Sequence, residues 1–216
     1  MWGAPSPGES RWPAIIAVLV VVGLQLAVPS ELSFGPVWMW PAITLPLAVT
    51  LVVANPSRLT RESRDLREVS LGMIVVLCIA NGTALVLLMH QLLAANDPLA
   101  GRTLLLSAVG IWARNVMVFG VWYWEIDRGG PIRRCTAQHR RPDFLFPQMQ
   151  SPGVHPGPWS PRFLDYLYIS LTNSTAFSPT DTMPLTHRAK VLMGVQGLVS
   201  LATVAVVGAR AVNILG

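Results

Sequence analysis

Arg114 and Asn115 stand at the centre of an apolar run, and Asn81 falls at the same depth of another run. A guanidinium placed there needs polar company. It can either hold an anion or bond helix carbonyls and amides to lock packing. A second concentration of polar groups lies in the stretch 163–186. This opens with Phe163, Leu164, Tyr166, Leu167, Tyr168 and Ile169, turns to Ser170, Thr172, Asn173, Ser174 and Thr175, and closes after Phe177 on Pro179, Asp181 and Pro184. Such side chains can line a path for an ion or small solute. They can equally bond back to helix carbonyls or hold helices together. Asp181 can attract cations or cap the last helix. Asp165 beside Arg162 reads as an interfacial pair, and Arg210 reads as a side chain that snorkels to the surface.

Other chemistries find little support. Cys135, His139 and His155 lack a fourth ligand at suitable spacing, so no metal and no cofactor is expected. No Gly-x-Ser-x-Gly, Gly-x-Gly-Asp or His-Glu-x-x-His motif occurs, nor any phosphate-cradling glycine loop, so an enzyme is not expected. Cys78 lies in an apolar run and Cys135 in a basic loop, depths too different for a disulfide.

The elements that carry these residues are hydrophobic. The chain has 216 residues, 52% hydrophobic and 12% charged, with mean hydropathy +0.48. A soluble domain has about 25% charged residues. The fold class is therefore an all-α integral membrane protein, a single domain over 1–216. The reading is a bundle of six transmembrane helices at about 13–28, 32–54, 69–95, 99–124, 163–182 and 189–215. A cleaved leader, with Arg11 ahead of it, is the rival reading of 13–28. Pro36, Pro41 and Pro46 should kink the second span, and the fifth is polar and broken near Pro179. Residues 57–68 read as a solvated connector or a short surface helix, and Trp122-Tyr123-Trp124 as an interfacial belt. Seven of the 18 prolines fall in 125–162, which predicts a long loop with no regular core. Within it, Asp143-Phe-Leu-Phe-Pro147 is apolar enough to dock at the membrane interface or under the bundle.

Net charge +5 and a pI near 10 do not point to nucleic acid, because the arginines sit in short loops between apolar runs. With six crossings and the N-terminus inside, the inner loops hold eleven basic residues: Arg11, four over 58–67 and six over 128–162. The outer ones hold three, Arg102, Arg188 and Lys190. This bias predicts a multi-pass protein of the cell membrane with both termini cytoplasmic and 125–162 as a cytoplasmic loop.

From Tyr168 onward the chain resembles the pore-helix, filter and inner-helix unit of tetrameric cation channels. Ser174-Thr-Ala-Phe-Ser-Pro-Thr-Asp181, then Pro184-Leu-Thr186, Arg188 and the apolar run from Ala189 carry the likeness. The two filter glycines are absent, so the usual potassium selectivity is not implied. The aspartate–aromatic segment before a basic-flanked last helix also resembles bacterial multi-spanning membrane proteins of the DUF1345 group, a resemblance that implies no activity. Two functions are expected on these grounds. One is an ion- or small-solute-conducting channel or transporter built around 163–182, a homo-oligomer in the lipid bilayer. The other is a non-conducting scaffold or regulatory subunit that binds a partner or anionic lipid through 125–162.

Overall fold

The computed structural model describes residues 9–10, 12–54, 64–93, 101–135, 141–151, 159–176 and 181–215. Helix α1 (Trp12–Leu26) is the unbroken apolar run, with Pro13 in its first turn, where no amide bond is lost, and Pro29 just beyond its end. Helix α2 (Met39–Ala54) begins seven residues later than its hydropathy predicts. Gly35 adopts φ 81° and Pro36 disfavours helix before it, so only a short 3-10 turn forms at Ser30–Leu32. Pro46 sits inside α2, and the Thr50 hydroxyl donates to the Pro46 carbonyl at 2.9 Å.

Helix α3 (Arg64–Leu93) takes in the end of the charged connector, where Arg64 and Glu68 pair at 3.0 Å across one exposed turn. Helix α4 (Gly101–Ile126) is the central element and packs against α1, α3, α7 (Phe163–Ala176) and α8 (His187–Leu215). Two four-residue helices, α5 (Pro131–Arg134) and α6 (Pro147–Gln150), lie between α4 and α7. Helices α3, α4 and α8 are long and apolar enough to cross a membrane; α1 and α2 are shorter apolar helices.

The helices run between two ends of the bundle. The near end gathers Glu9, the C-terminus of α4, the N-terminus of α7 and the N-terminus of α8. Glu9 accepts from the Trp124 indole at 3.0 Å and from the Phe163 amide at 2.7 Å. The Tyr166 hydroxyl donates to Asp127 at 2.6 Å. Arg188 reaches Asp143 with two bonds of 2.6 Å. At the far end, Val28 and Leu32 pack with Leu85, Leu88, Leu104, Ile111 and Val206.

This arrangement departs from the predicted topology. Helices α7 and α8 both start at the near end, so residues 163–182 do not run from end to end. Helix α7 has 14 residues, about 21 Å at 1.5 Å each, and the chain is back at the near end by Met183. There Phe144–Leu145 (β1) pairs antiparallel with Met183–Pro184 (β2). As a consequence Glu9 and the end of α8 lie at opposite ends, and Arg188 shares an end with 125–162.

Nor is the described part of 125–162 without a core. Asp127, Arg128, Arg134 and Asp143 are all buried, and Arg128 holds φ 54°. Pro131 and Pro147 each open a helix instead of breaking one. The expectation that 143–147 docks under the bundle is met: Phe144 lies 5.2 Å from the Tyr123 ring, and Phe146 meets Tyr166 edge-on at 5.5 Å. The Trp122-Tyr123-Trp124 belt turns inward at Tyr123 and Trp124, both in the core. Arg134 ties this end together. It donates to the Trp124 carbonyl at 2.6 Å, pairs with Glu9 at 3.2 Å and stacks over the Tyr166 ring. Burial by itself would lower its pKa, but Tyr166, Glu9 and Asp127 outweigh that and hold the guanidinium above its ordinary value.

Candidate functional site

The polar half of α7 faces α8 and α4. Ser170, Asn173 and Ser174 share one face of α7 at i, i+3 and i+4, and Gln196 and Ser200 share one face of α8 at i and i+4. Gln196 is the hub. Its Nε2 has two N–H groups for three acceptors: one N–H is shared between the Ser170 carbonyl at 2.9 Å and the Ser170 hydroxyl at 2.6 Å, and the other meets the Ser174 hydroxyl at 2.8 Å. Its Oε1 accepts from Asn173 Nδ2 at 2.9 Å and from the Tyr123 hydroxyl. Asn173 also donates to the Met193 carbonyl at 3.0 Å, and Ser170 to the Val116 carbonyl at 2.6 Å. Asn115 joins from α4, donating to Ser200 Oγ at 2.9 Å.

All of these groups are buried, and Ser170, Ser174, Gln196 and Ser200 have no exposed surface. The network closes on itself. It fastens a short helix into the notch between two long ones, and it leaves only Asn115 Oδ1 without a partner. The contact is close: a Cβ on Gly120 would stand 3.2 Å from the Leu167 Cα. Gly120→Val should therefore force α7 off α4 and cost about 1–3 kcal/mol, read as a fall in the midpoint of thermal unfolding in detergent. A midpoint equal to that of the parent chain would show that α7 is not seated this tightly.

The predicted site residues divide. Asn115, Asn173 and Ser174 come together, as their depth suggests. Thr175 faces outward, its hydroxyl turned back to the Leu171 carbonyl at 3.0 Å. Phe177 and Pro179 lie outside the described residues, as do His139, His155 and the side chain of Arg210. Asp181 is exposed and sits 3.4 Å from the Tyr168 hydroxyl; Thr186, not Asp181, accepts the Ala189 amide and caps α8. Asp165 accepts the Arg162 amide at 2.6 Å, a helix cap where an ion pair is expected from the sequence.

Arg114 and Asn81 belong elsewhere. One residue along a helix is a turn of about 100°, so Arg114 and Asn115 present to different neighbours. Arg114 is 2% and Asn81 4% exposed, and neither meets the α7 network. Arg114 Nε and Nη2 and Asn81 Oδ1 have no hydrogen-bond partner among the described residues. The hub residue Gln196 and its companion Tyr123 were not singled out by composition. The signal for Gln196 is the i, i+4 pair it forms with Ser200 in an otherwise apolar helix; Tyr123 carries no comparable signal.

Fold and site together define a helical chain with three helices suited to crossing a membrane and a short polar helix clamped among them. Comparison with family models, curated proteins and solved structures finds no match for this chain.

Proposed function

We propose that this is a multi-pass membrane protein that conducts an ion or small solute beside a re-entrant segment, 163–182, with the path closed by further copies of the chain. The observation that carries this reading is the shared starting end of α7 and α8. A helix of about 21 Å cannot cross a hydrocarbon core of about 30 Å, whereas a helix that enters and a chain that returns suit a pore loop. The likeness to the pore-helix and inner-helix unit gains support from this course.

The path is not through Asn173 and Ser174, whose bonds are spent on α8. It lies on the other face of α7, where Tyr168 and Thr175 are exposed and the Tyr168 hydroxyl stands 3.4 Å from Asp181. The outer stripe of α8, at Val191, Val195, Leu198, Leu201 and Val204, is exposed as well, which suits lipid or a neighbouring copy. Five crossings then replace six. Nine basic residues of the described chain gather at the near end (Arg64, Arg67, Arg128, Arg133, Arg134, Arg141, Arg162, Arg188 and Lys190) against Arg102 and Arg210 toward the far end. That bias makes the near end cytoplasmic and sends the C-terminus to the opposite side.

Single cysteines at 168, 172, 175 and 181, in a Cys78→Ala, Cys135→Ala background, test the reading. A membrane-impermeant thiol reagent applied from the near side should label 175 and 181, and labelling should block potassium, chloride or glycerol flux in reconstituted vesicles. Silent cysteines at all four positions, or flux equal to that of protein-free vesicles for all three probes, would end it.

A further inference from the structure

Where α4 meets α1 and α3, the bundle holds a buried cation without a counterion among the described residues. Helices α1, α2, α3 and α4 line a crevice open to the outside toward the near end, formed by Ala14, Val18, Leu51, Met73, Val121 and Trp124 among others. Apart from Ser70 its lining is apolar. Arg114 lies seven residues before Val121 and so on the same face of α4. Gln25 lies seven residues after Val18 on α1, and Asn81 eight after Met73 on α3. Two helical turns are about 10–12 Å, so all three fall at one level, about 10–12 Å beyond these lining residues toward the far end.

These three residues also share a deficit. Arg114 is 2% exposed, and Gln25 and Asn81 are 4% exposed. Among the described residues, Gln25 Nε2 and Oε1, Asn81 Oδ1 and Arg114 Nε and Nη2 all lack hydrogen-bond partners. No acidic residue lies on α1 or α2, between Glu68 and the end of α3, or on α4 before Glu125. An unpaired guanidinium buried this way is costly, and nothing in these helices can neutralise it. The two orphaned nitrogens of Arg114 lie along one edge of the guanidinium. Their N–H bonds run parallel, the spacing that matches the two oxygens of a carboxylate.

We propose that Arg114, with the Gln25 amide N–H, binds the carboxylate of an amphiphilic monocarboxylic acid whose hydrocarbon part lies in the crevice above. The fork accepts one planar anion and neutralises one charge. The Gln25 amide supplies a third donor, and the apolar walls take the alkyl chain. A lipid phosphate is less suited, because its headgroup belongs at the bundle's end and not about 20 Å below it. The site stands apart from the α7 face, and its failure would leave the re-entrant path untouched.

Tritiated octanoate binding to the purified chain in lipid nanodiscs is the test. Unlabelled octanoate should displace the label, and octan-1-ol, which has the same chain without the charge, should displace it at least about tenfold more weakly. Arg114→Gln should lower octanoate affinity about tenfold or more, Arg114→Lys less, and Gln25→Leu several-fold. Equal displacement by octan-1-ol, or no saturable octanoate binding at all, would show a plain apolar crevice over a hydrated arginine and overturn the proposal. Should Arg114→Gln fail to fold, the acid-versus-alcohol comparison on the unaltered chain still decides.

Discussion

Arg188→Met should destabilise the bundle by about 3–5 kcal/mol, the range for stripping the partner from a buried charge. Asp143 has no exposed surface, and its carboxylate takes two bonds of 2.6 Å from Arg188. Among the described residues, the Thr186 hydroxyl at 2.6 Å and the Arg128 amide at 3.1 Å also donate to it. Without the guanidinium those two must hold a full negative charge away from water. Asp143→Asn should cost less, about 2–3 kcal/mol, because Arg188 is 41% exposed and can turn to solvent. The double variant should be more stable than the sum of the two losses predicts, by about 1.5–3 kcal/mol, since removing both charges leaves no orphan. Thermal or denaturant unfolding of the four proteins in detergent gives the cycle. Additive losses would mean that the pair does not couple in the folded chain. A drop under about 0.5 kcal/mol for Arg188→Met would mean that the junction of β1, β2 and α8 does not rely on it.

That junction was hardly legible in the sequence, for a physical reason. Glu9, Asp127, Asp143, Phe163 and Arg188 meet at one end of the bundle although they are spread over almost the whole chain. No periodicity reports such a meeting. Proline counting misled as well, because a proline in the first turn of a helix costs nothing, and Pro131 and Pro147 both occupy that place. The helices themselves were legible. Apolar runs predict α1, α3, α4 and α8 to within a few residues at most ends, and mid-run polar groups correctly read as sheltered. Hydropathy could not separate a helix that runs from end to end from one as short as α7, since both need an apolar, helix-forming start. The depth argument that grouped Asn81, Asn115 and Asn173 was right about level and wrong about direction. Depth along a helix says nothing of azimuth, and Arg114 and Asn115 differ by about 100° of it.

Gln196→Leu is the substitution expected to separate the fastening of α7 from the rest of the fold. The leucine fills much of the same space, so packing between α4 and α8 is largely kept. What is lost is the only group that meets Ser170, Asn173, Ser174 and Tyr123 at once. Asn173 retains the Met193 carbonyl and Ser170 the Val116 carbonyl, while Ser174 and the Tyr123 hydroxyl are left facing an alkyl chain. A hydrogen bond between helices in a membrane averages about 0.6 kcal/mol, but an orphaned buried hydroxyl costs about 1–3 kcal/mol, so the penalty for the orphans dominates. The expected loss is about 3 kcal/mol, concentrated on α7. Amide hydrogen exchange should accelerate across 166–176 far more than across α3 or α4. Gln196→Glu sharpens the test, because a carboxylate can accept from Tyr123 and Asn173 but cannot donate to Ser170 and Ser174 unless protonated. Stability of that variant should rise as pH falls through the titration of the introduced acid, whose buried form binds the proton more tightly than the unfolded chain does. Uniform exchange in Gln196→Leu would place the seat of α7 in its apolar contacts, with the amide network as a passenger.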